Sequence, residues 1–245
     1  MRTTGIHRDY MLCHFSFIIP VLNEENCLAA CIQSIHALHE TQLEIIVVDN
    51  GCTDRTVEIA RQLGCRVVGE KKPGLSLARN AGAHAAQGDI LCFIDADGVL
   101  ANPWLRAAGR CFAKSNIGAV SGLSIYTHPS LLKRLYYNLY VLVTSGGAWL
   151  SSVLFSRMIF AGNNLAIRKE LFLQIGGYEP IFGEGMWLSR RFWKLPGYKG
   201  MLCPGMLLWN SPRGFEHMGF LSTVRYWVIS SITRKSQTGY TYKTR

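Results

Sequence analysis

The chain has 245 residues, 49% of them apolar and 17% charged, and carries a formal net charge of +10. That length and apolar content suit one large α/β domain or two small ones with a real core, and they exclude a disordered or fibrous chain. The charge asks for an anionic partner (nucleic acid, acidic lipid or a phosphorylated substrate), and it is concentrated late, because after Glu184 the only acid is Glu216. Eight cysteines are scattered without a C-x-x-C pair. They read as small buried hydrophobes in a reducing compartment rather than as a metal or disulfide framework. Met1 to His14 has no apolar h-region, so no signal peptide is expected there.

Phe15 to Ile19 is an apolar strand closed by Pro20. It leads through Asn23, Glu24 and Glu25 into a helix expected to carry those acids in its first turn. Leu43 to Val48 is a second strand, ending at Asp49-Asn50-Gly51-Cys52-Thr53-Asp54, with a helix from about Thr56 to Leu63. Cys65 to Val68 reads as a short third strand, followed by the turn Lys71-Lys72-Pro73-Gly74 and an Ala-rich helix from Leu75 to Ala86 that contains Arg79 and Asn80.

The next stretch, Gly88-Asp89-Ile90-Leu91-Cys92-Phe93-Ile94-Asp95-Ala96-Asp97-Gly98, is an apolar run that empties into two carboxylates. It reads as a strand buried on both faces. Two acids at its carboxyl end stand where open α/β sheets bind ligands. They suit a hard divalent cation that leaves positions open for phosphate oxygens. Asp-x-Asp alone is also an ordinary turn. Acids at two further strand ends, Glu24 and Asp49, favour the site. Alternating strands and helices predict a parallel, doubly wound sheet with right-handed crossovers. No G-x-G-x-x-G follows the first strand, so the dinucleotide fingerprint is missing.

Four stretches in order carry a family likeness: Ile18-Ile19-Pro20-Val21-Leu22-Asn23-Glu24-Glu25, Ile46 to Thr56 around Asp49, Gly74 to Gly82 with Ala78-Arg79-Asn80-Ala81-Gly82, and Asp95-Ala96-Asp97. Together they resemble family 2 glycosyltransferases of the GT-A fold. The resemblance implies a nucleoside diphosphate sugar as donor, with Pro20, Asn23, Glu24 and Asp49 around base and ribose, Arg79 near the nucleotide, Asp95 at the ribose, and Asp97 on a divalent cation, Mg2+ or Mn2+. Phe160 to Lys169 and Gly176-Gly177-Tyr178 resemble the acceptor-side segment, so the likeness covers about residues 14 to 217. The expected organisation is an N-terminal extension (1–14), a GT-A domain (15–217, its nucleotide half 15–98 and acceptor half 99–217) and an amphipathic basic tail (218–245).

The sequence departs from the family pattern where an acidic pair usually follows Gly-Gly-Tyr. Glu184 is present, but Gly185 stands where Asp is expected, and Trp187 stands where a second acid is common. Two readings stay open. Either Glu184 serves as the base that takes the acceptor proton, with Trp187 as a stacking face for a sugar, or the chain is a silent nucleotide-sugar-binding protein that scaffolds an active partner. Trp209 to His217 resembles a Ser-Pro-Arg-Arg-Phe stretch of some members, which implies that Arg213 clamps the leaving diphosphate. Gly214 replaces the second Arg. His217 is a candidate metal ligand, as a C-terminal His is in some GT-A enzymes.

Leu135 to Ser156 is uncharged, flanked by Lys133-Arg134 and Arg157. It is long enough to span a bilayer, yet a span would separate Asp95 and Asp97 from the Gly162-Asn163-Asn164 segment. A helix and loop lying on a membrane surface or over the acceptor groove is expected, with a buried core helix as the alternative. Phe220, Leu221, Val224, Trp227 and Val228 fall largely on one helical face beside Arg225 and Arg234, which suits anionic headgroups. The resemblance thus implies an inverting, metal-dependent sugar transferase. Its acceptor is expected to be a lipid or glycan of the cell envelope, and its place the cytoplasmic face of an anionic membrane. Nucleic acid is not an expected partner, because the acidic strand ends repel it.

Overall fold

The computed structural model describes residues 13–38, 42–181 and 183–213, together with Glu216, Ser222, Arg225, Ile229 and Thr233. An eight-stranded sheet runs through it in the order β3-β2-β1-β4-β7-β6-β8-β5. Strands β1 (Phe15–Val21), β2 (Leu43–Asp49), β3 (Arg66–Gly69) and β4 (Ile90–Ile94) form a parallel half, with Ile18 beside Ile46 on one flank and Phe93 on the other. The second half is mixed. β7 (Asn164–Arg168) runs antiparallel to both β4 and β6 (Ile117–Tyr126), β6 is parallel to β8 (Lys199–Asn210), and the two-residue β5 (Val99–Leu100) closes the far edge antiparallel to β8.

The period-2 side-chain alternation of a strand sorts the apolar runs into two cores. Phe15, Phe17, Ile19 and Val21 face the side covered by α1 (Leu28–His36), α2 (Thr56–Gln62) and α4 (Trp104–Phe112). Ile18, Ile46, Val48 and Phe93 face α3 (Leu75–Ala85), α6 (Lys169–Gln174) and α7 (Glu184–Phe192). Helix α1 buries Leu28, Cys31, Ile32 and Ile35, the i, i+3, i+4, i+7 stripe of a core-facing helix. Glu24 and Glu25 precede that helix in a turn and do not sit in its first turn, because Glu24 accepts from the amides of Cys27 and Leu28 and opens the first hydrogen-bonded turn itself.

Helix α3 lies close against the sheet. A Cβ at Gly82 would stand 2.5 Å from Ile18 Cγ2 and 2.9 Å from Val48 Cγ2, so only glycine allows this approach. On the other face Asn164 is buried within the mixed half. Its Oδ1 accepts from Trp104 Nε1 at 2.9 Å, and its amide donates to the carbonyls of Leu123 and Met206. One side chain thereby ties α4, β6 and β8 to β7.

The uncharged stretch forms a single helix, α5 (Leu131–Phe155), rather than a helix and a loop. It is not a core helix: only Tyr137 and Ala148 are buried. Its partly covered residues are mainly polar or small (Asn138, Ser145, Ser151, Ser152), while Leu132, Leu139, Leu142, Val143, Val153 and Phe155 point into solvent. The amphipathicity is inverted. By length and composition α5 could cross a membrane, but both ends are fastened to the same domain. Asn138 exchanges hydrogen bonds with the backbone of Tyr126, and Met158, just beyond the helix, accepts from Trp193 Nε1 at 2.7 Å. A helix of about 37 Å held at both ends lies alongside its domain.

Replacing Asn164 by Ala would strip Trp104 Nε1 and two buried carbonyls of their partners. Urea unfolding is expected to show a loss of about 3 kcal/mol, at 1–3 kcal/mol per orphaned group with partial relaxation. A loss below about 1 kcal/mol would mean that the junction does not depend on Asn164.

Candidate active site

The site forms where the strands of the parallel half empty. Asn23, after β1, adopts the left-handed conformation (φ 57°) that asparagine tolerates better than most residues. This aims its Oδ1 at the Thr53 amide, 2.8 Å away in the loop after β2. The Glu24 amide donates to Thr56 Oγ1 at 2.8 Å, and the Glu25 amide to Asp54. Asp49, the last residue of β2, accepts from the amides of Gly51 and Cys52 at 3.1 and 2.8 Å, which shapes its own loop. Pro20 lies within β1 opposite Val48, so the strand continues through it.

Arg79 sits deeper than expected. Its side chain is 2% exposed, with Nη2 2.9 Å from Asp95 Oδ1 and Nη1 2.9 Å from Glu184 Oε1. Burial works against the charge, but Asp95, Tyr178 and Glu184 more than offset it, so the guanidinium is held protonated above its ordinary range. Both terminal nitrogens are committed to carboxylates, so Arg79 holds Asp95 and Glu184 together at the base of the site. Tyr178 flanks the guanidinium at 5.3 Å and meets Phe93 of β4 edge-on. Asn80 exchanges two hydrogen bonds with the Tyr178 backbone, at 2.7 and 2.8 Å. The Arg79-Asn80 and Gly-Gly-Tyr stretches are therefore one clasp. Tyr178 is a supporting residue that sequence reasoning passed over, although the motif containing it was legible.

A second guanidinium bridges the other pair. Arg213, just beyond β8, places Nη2 2.9 Å from Glu24 Oε2 and 3.1 Å from Asp97 Oδ2. Cys27 Sγ donates to the same Glu24 oxygen at 2.9 Å, and its thiol is pushed up to about 12 by burial and by Glu24. Its spacing of three residues from Glu24 was the only sequence sign of this contact. His217 and most of the expected amphipathic tail lie outside the described residues.

The fit to a hard cation can be read from charge. Glu24, Asp95, Asp97 and Glu184 are four carboxylates against two guanidinia. This leaves a formal excess equal to one divalent ion. Asp97, 14% exposed, has its carboxyl raised by burial and by Asp95 in spite of Arg213. Among the described residues no three acid, His or Cys side chains form a complete cage. That matches Mg2+-type binding through one or two carboxylates plus substrate phosphates.

Gly185 has a packing reason. A Cβ there would stand 2.9 Å from the Phe160 carbonyl oxygen. The first turn of α7 is drawn against the segment before β7 by Ser189, whose Oγ accepts from the Phe160 amide and donates to the Gly185 carbonyl. Glu184 is left as the acid of this turn, with Oε1 on Arg79.

The family model described as Glycosyl transferase family 2 matches residues 16–181. The chain belongs to this family. Among curated relatives, glycosyltransferase AglE of Haloferax volcanii is 31% identical over 123 residues, which is 47% of this chain and 40% of AglE. The uncharacterized glycosyltransferase YibD of Escherichia coli is 37% identical over 87 residues, 34% of this chain and 25% of YibD. The chain thus spans less than half the length of these relatives. Among solved structures, the mannosyltransferase PcManGT of Pyrobaculum calidifontis, in complex with GDP-Man and Mn2+, superposes with a TM-score of 0.69 at 23% identity, covering 89% of this chain and 63% of that one. Glucosyl-3-phosphoglycerate synthase of Mycobacterium tuberculosis, with Mn2+ and UDP-Glc, gives 0.61 at 24% identity over 92% of this chain and 81% of that one. These likenesses establish the GT-A fold.

Truncating Arg79 to Ala leaves Asp95 and Glu184 facing each other without their cation. A stability loss of about 3 kcal/mol is expected, the low end for a broken buried pair because Asp95 is 37% exposed and partly screened by water. Thermal or urea unfolding measures it, and a wild-type midpoint would show that the bridge carries no stability.

Proposed function

We propose that the protein transfers a sugar from a nucleoside diphosphate donor to an acceptor hydroxyl, with inversion, in a reaction that requires a divalent cation. The observation that carries this reading is the convergence of Glu24, Asp95, Asp97 and Glu184 on two arginines at the strand ends of a family 2 fold. The two structural neighbours, seen with Mn2+ and GDP-Man or UDP-Glc, support the same donor chemistry.

Asp97, with Asp95 beside it, is the residue to hold Mg2+ or Mn2+, and the ion supplies positive charge for a departing diphosphate. Asn23, Glu24 and Asp49 line the loops that receive the nucleoside, with Pro20 in the adjoining strand. Glu184 accepts the proton of the attacking hydroxyl. Arg79 fixes its Oε1, which leaves Oε2 to meet the acceptor. Arg213, on Glu24 and Asp97 in the resting chain, exchanges a carboxylate for phosphate oxygens when donor binds, since its planar fork matches either. A direct displacement needs the base and the leaving group on opposite sides of the anomeric carbon. Glu184 and the Asp97–Arg213 pair provide those two sides, with Arg79 and Asp95 between them.

The place of action proposed is an anionic membrane surface facing the cytoplasm, with a lipid or glycan of the cell envelope as acceptor. Support comes from the outward apolar face of α5, flanked by Lys133, Arg134 and Arg157 and free of acids. A patch of this kind on an otherwise polar surface marks an interaction site. An in-plane helix with basic flanks suits anionic headgroups.

A donor screen with Mn2+ or Mg2+, reading nucleotide release, is the primary test. Glu184→Gln is expected to lower turnover by about 10²- to 10⁴-fold, the usual worth of a general base, with donor affinity retained. Nucleotide binding without release across the panel would instead support the silent scaffold, which the missing acid at Gly185 motivates. For the membrane proposal, the wild-type chain is expected to sediment with anionic vesicles at low salt, and Leu139→Asp combined with Leu142→Asp to stay in the supernatant. Equal behaviour of the two proteins would remove α5 as the contact.

A further inference from the structure

A second concavity lies on the acceptor side, apart from the carboxylate cluster. It has a volume of about 570 Å³ and is lined by Arg157, Arg190, Arg191 and Lys194, with the indoles of Trp187 and Trp193. Glu179 is its one acid. Four cations against a single carboxylate leave the cavity with three positive charges in excess.

Its construction is specific. Helix α5 ends at Ser156 in the left-handed conformation (φ 55°), which turns the chain off the helix and brings Arg157 back over the Trp193 ring at 5.7 Å. Trp193 is pinned in turn by its bond to the Met158 carbonyl. On α7, Arg190 lies over the Trp187 ring at 4.6 Å. Arg191 is anchored by the Gly177 carbonyl and by Glu179 at 3.5 Å, so the cavity's acid is already engaged. No carboxylate pairs with Arg157, Arg190 or Lys194 among the described residues. Two guanidinia thus lie over aromatic rings, a contact that uses the ring face and no N–H acceptor.

We infer that this cavity binds a phosphate-bearing group of the acceptor. A carboxylate carries one charge in one plane. A phosphate offers up to two charges and a tetrahedral set of acceptor oxygens, which several guanidinia can grip at once. The volume leaves space for a neighbouring group beside the phosphate. Position gives the site its use. Glu184 opens the same helix, and Trp187 and Arg191 follow it at i+3 and i+7, on the same side of α7. Arg191 stands about 10 Å along the axis from the base. An acceptor long enough to span that distance brings a hydroxyl to Glu184 while its phosphate is held here. Trp187, where a second acid is common in the family, belongs to this cavity and not to the proton-transfer group.

The acceptor role rests on the sugar-transfer reading, whereas the binding itself does not. The same chemistry could come from a soluble phosphomonoester or from a lipid headgroup, and Trp187 and Trp193 provide an optical probe for either. The full chain is titrated with glycerol 3-phosphate, with glycerol as the uncharged control, and with phosphatidic acid vesicles against phosphatidylcholine vesicles, following tryptophan fluorescence. Saturable binding of a phosphate probe is expected, weakened about tenfold by Arg190→Gln and about a hundredfold when Arg157→Gln is added. A wild-type melting temperature for the variants shows that the fold is kept.

Weakening seen with glycerol 3-phosphate assigns the cavity to a soluble phosphorylated acceptor. Weakening confined to phosphatidic acid assigns it to a lipid. Affinities unchanged by both substitutions, or equal for glycerol and glycerol 3-phosphate, overturn the inference. Nucleotide diphosphate binding with Mn2+, measured on the wild-type chain, separates the two proposals. Its presence without phosphate binding overturns only the cavity, and its absence beside phosphate binding overturns only the sugar transfer.

Discussion

The site depends on a guanidinium buried beneath it. Arg79 is placed where an isolated charge would be prohibitive, and the arrangement is tolerable only because two carboxylates reach it, one from each half of the domain. Asp95 belongs to the strand-end loop of the parallel half, and Glu184 to the helix that opens the acceptor side. Neither acid can move far without exposing the other's partner. The close approach of α3 at Gly82, the Asn80–Tyr178 clasp and the packing of Tyr178 on Phe93 all serve to carry Arg79 into that position. The separation of Asp95 and Glu184 is thereby fixed by core packing, which is stiffer than any loop.

Arg213 contrasts with this. It also bridges two carboxylates, Glu24 and Asp97, but it comes from the chain after β8 and is partly exposed. A buried guanidinium held by tertiary clasps is a fixture. A partly exposed one on a strand-end segment can exchange partners at little cost, since its gain in one ion pair replaces its loss in another. The two arginines thus divide the electrostatic work between holding geometry and responding to charge. The remaining excess of negative charge around Asp97 is a cation-seeking feature, one that lowers the stability of the resting chain for the sake of what it binds.

Much of this was legible in the sequence because the parallel half obeys simple rules. Apolar runs of five to seven residues became β1, β2 and β4, and the polar residues just beyond them became the site loops. What stayed hidden depended on long-range packing. The antiparallel insertion of β7 between β4 and β6 leaves no local signature, since Asn164–Arg168 would read the same in either direction. The burial of Arg79 stayed hidden because a motif gives an order of residues and no depth. Gly185 looked like a lost acid, whereas a side chain there would meet a carbonyl oxygen more than twenty residues earlier in the chain. Cys27 and Tyr178 carry side chains whose importance lies only in what they touch.

Helix α5 shows the same limit from the opposite side. Its composition suited a core helix, a bilayer span and a surface helix equally well, and direction rather than composition separates them. A helix that buries little beyond Tyr137 and Ala148, and turns most of its Leu, Val and Phe away from its domain, gains little from the hydrophobic effect in water. It is held there by the polar fastenings of Asn138 to Tyr126 and Trp193 to Met158, with the Tyr137 ring packed on Tyr126. Those fastenings also set the helix between two charged regions. Tyr126, at the near end, has its hydroxyl pushed up by burial and by the charges of Asp95 and Asp97, whereas Arg157, at the far end, lines the cationic cavity beside α7. The apolar face therefore runs between the Asp95–Asp97 acids and the cationic cavity. A surface that engages α5 would present its own polar groups along the path that the proposed chemistry requires.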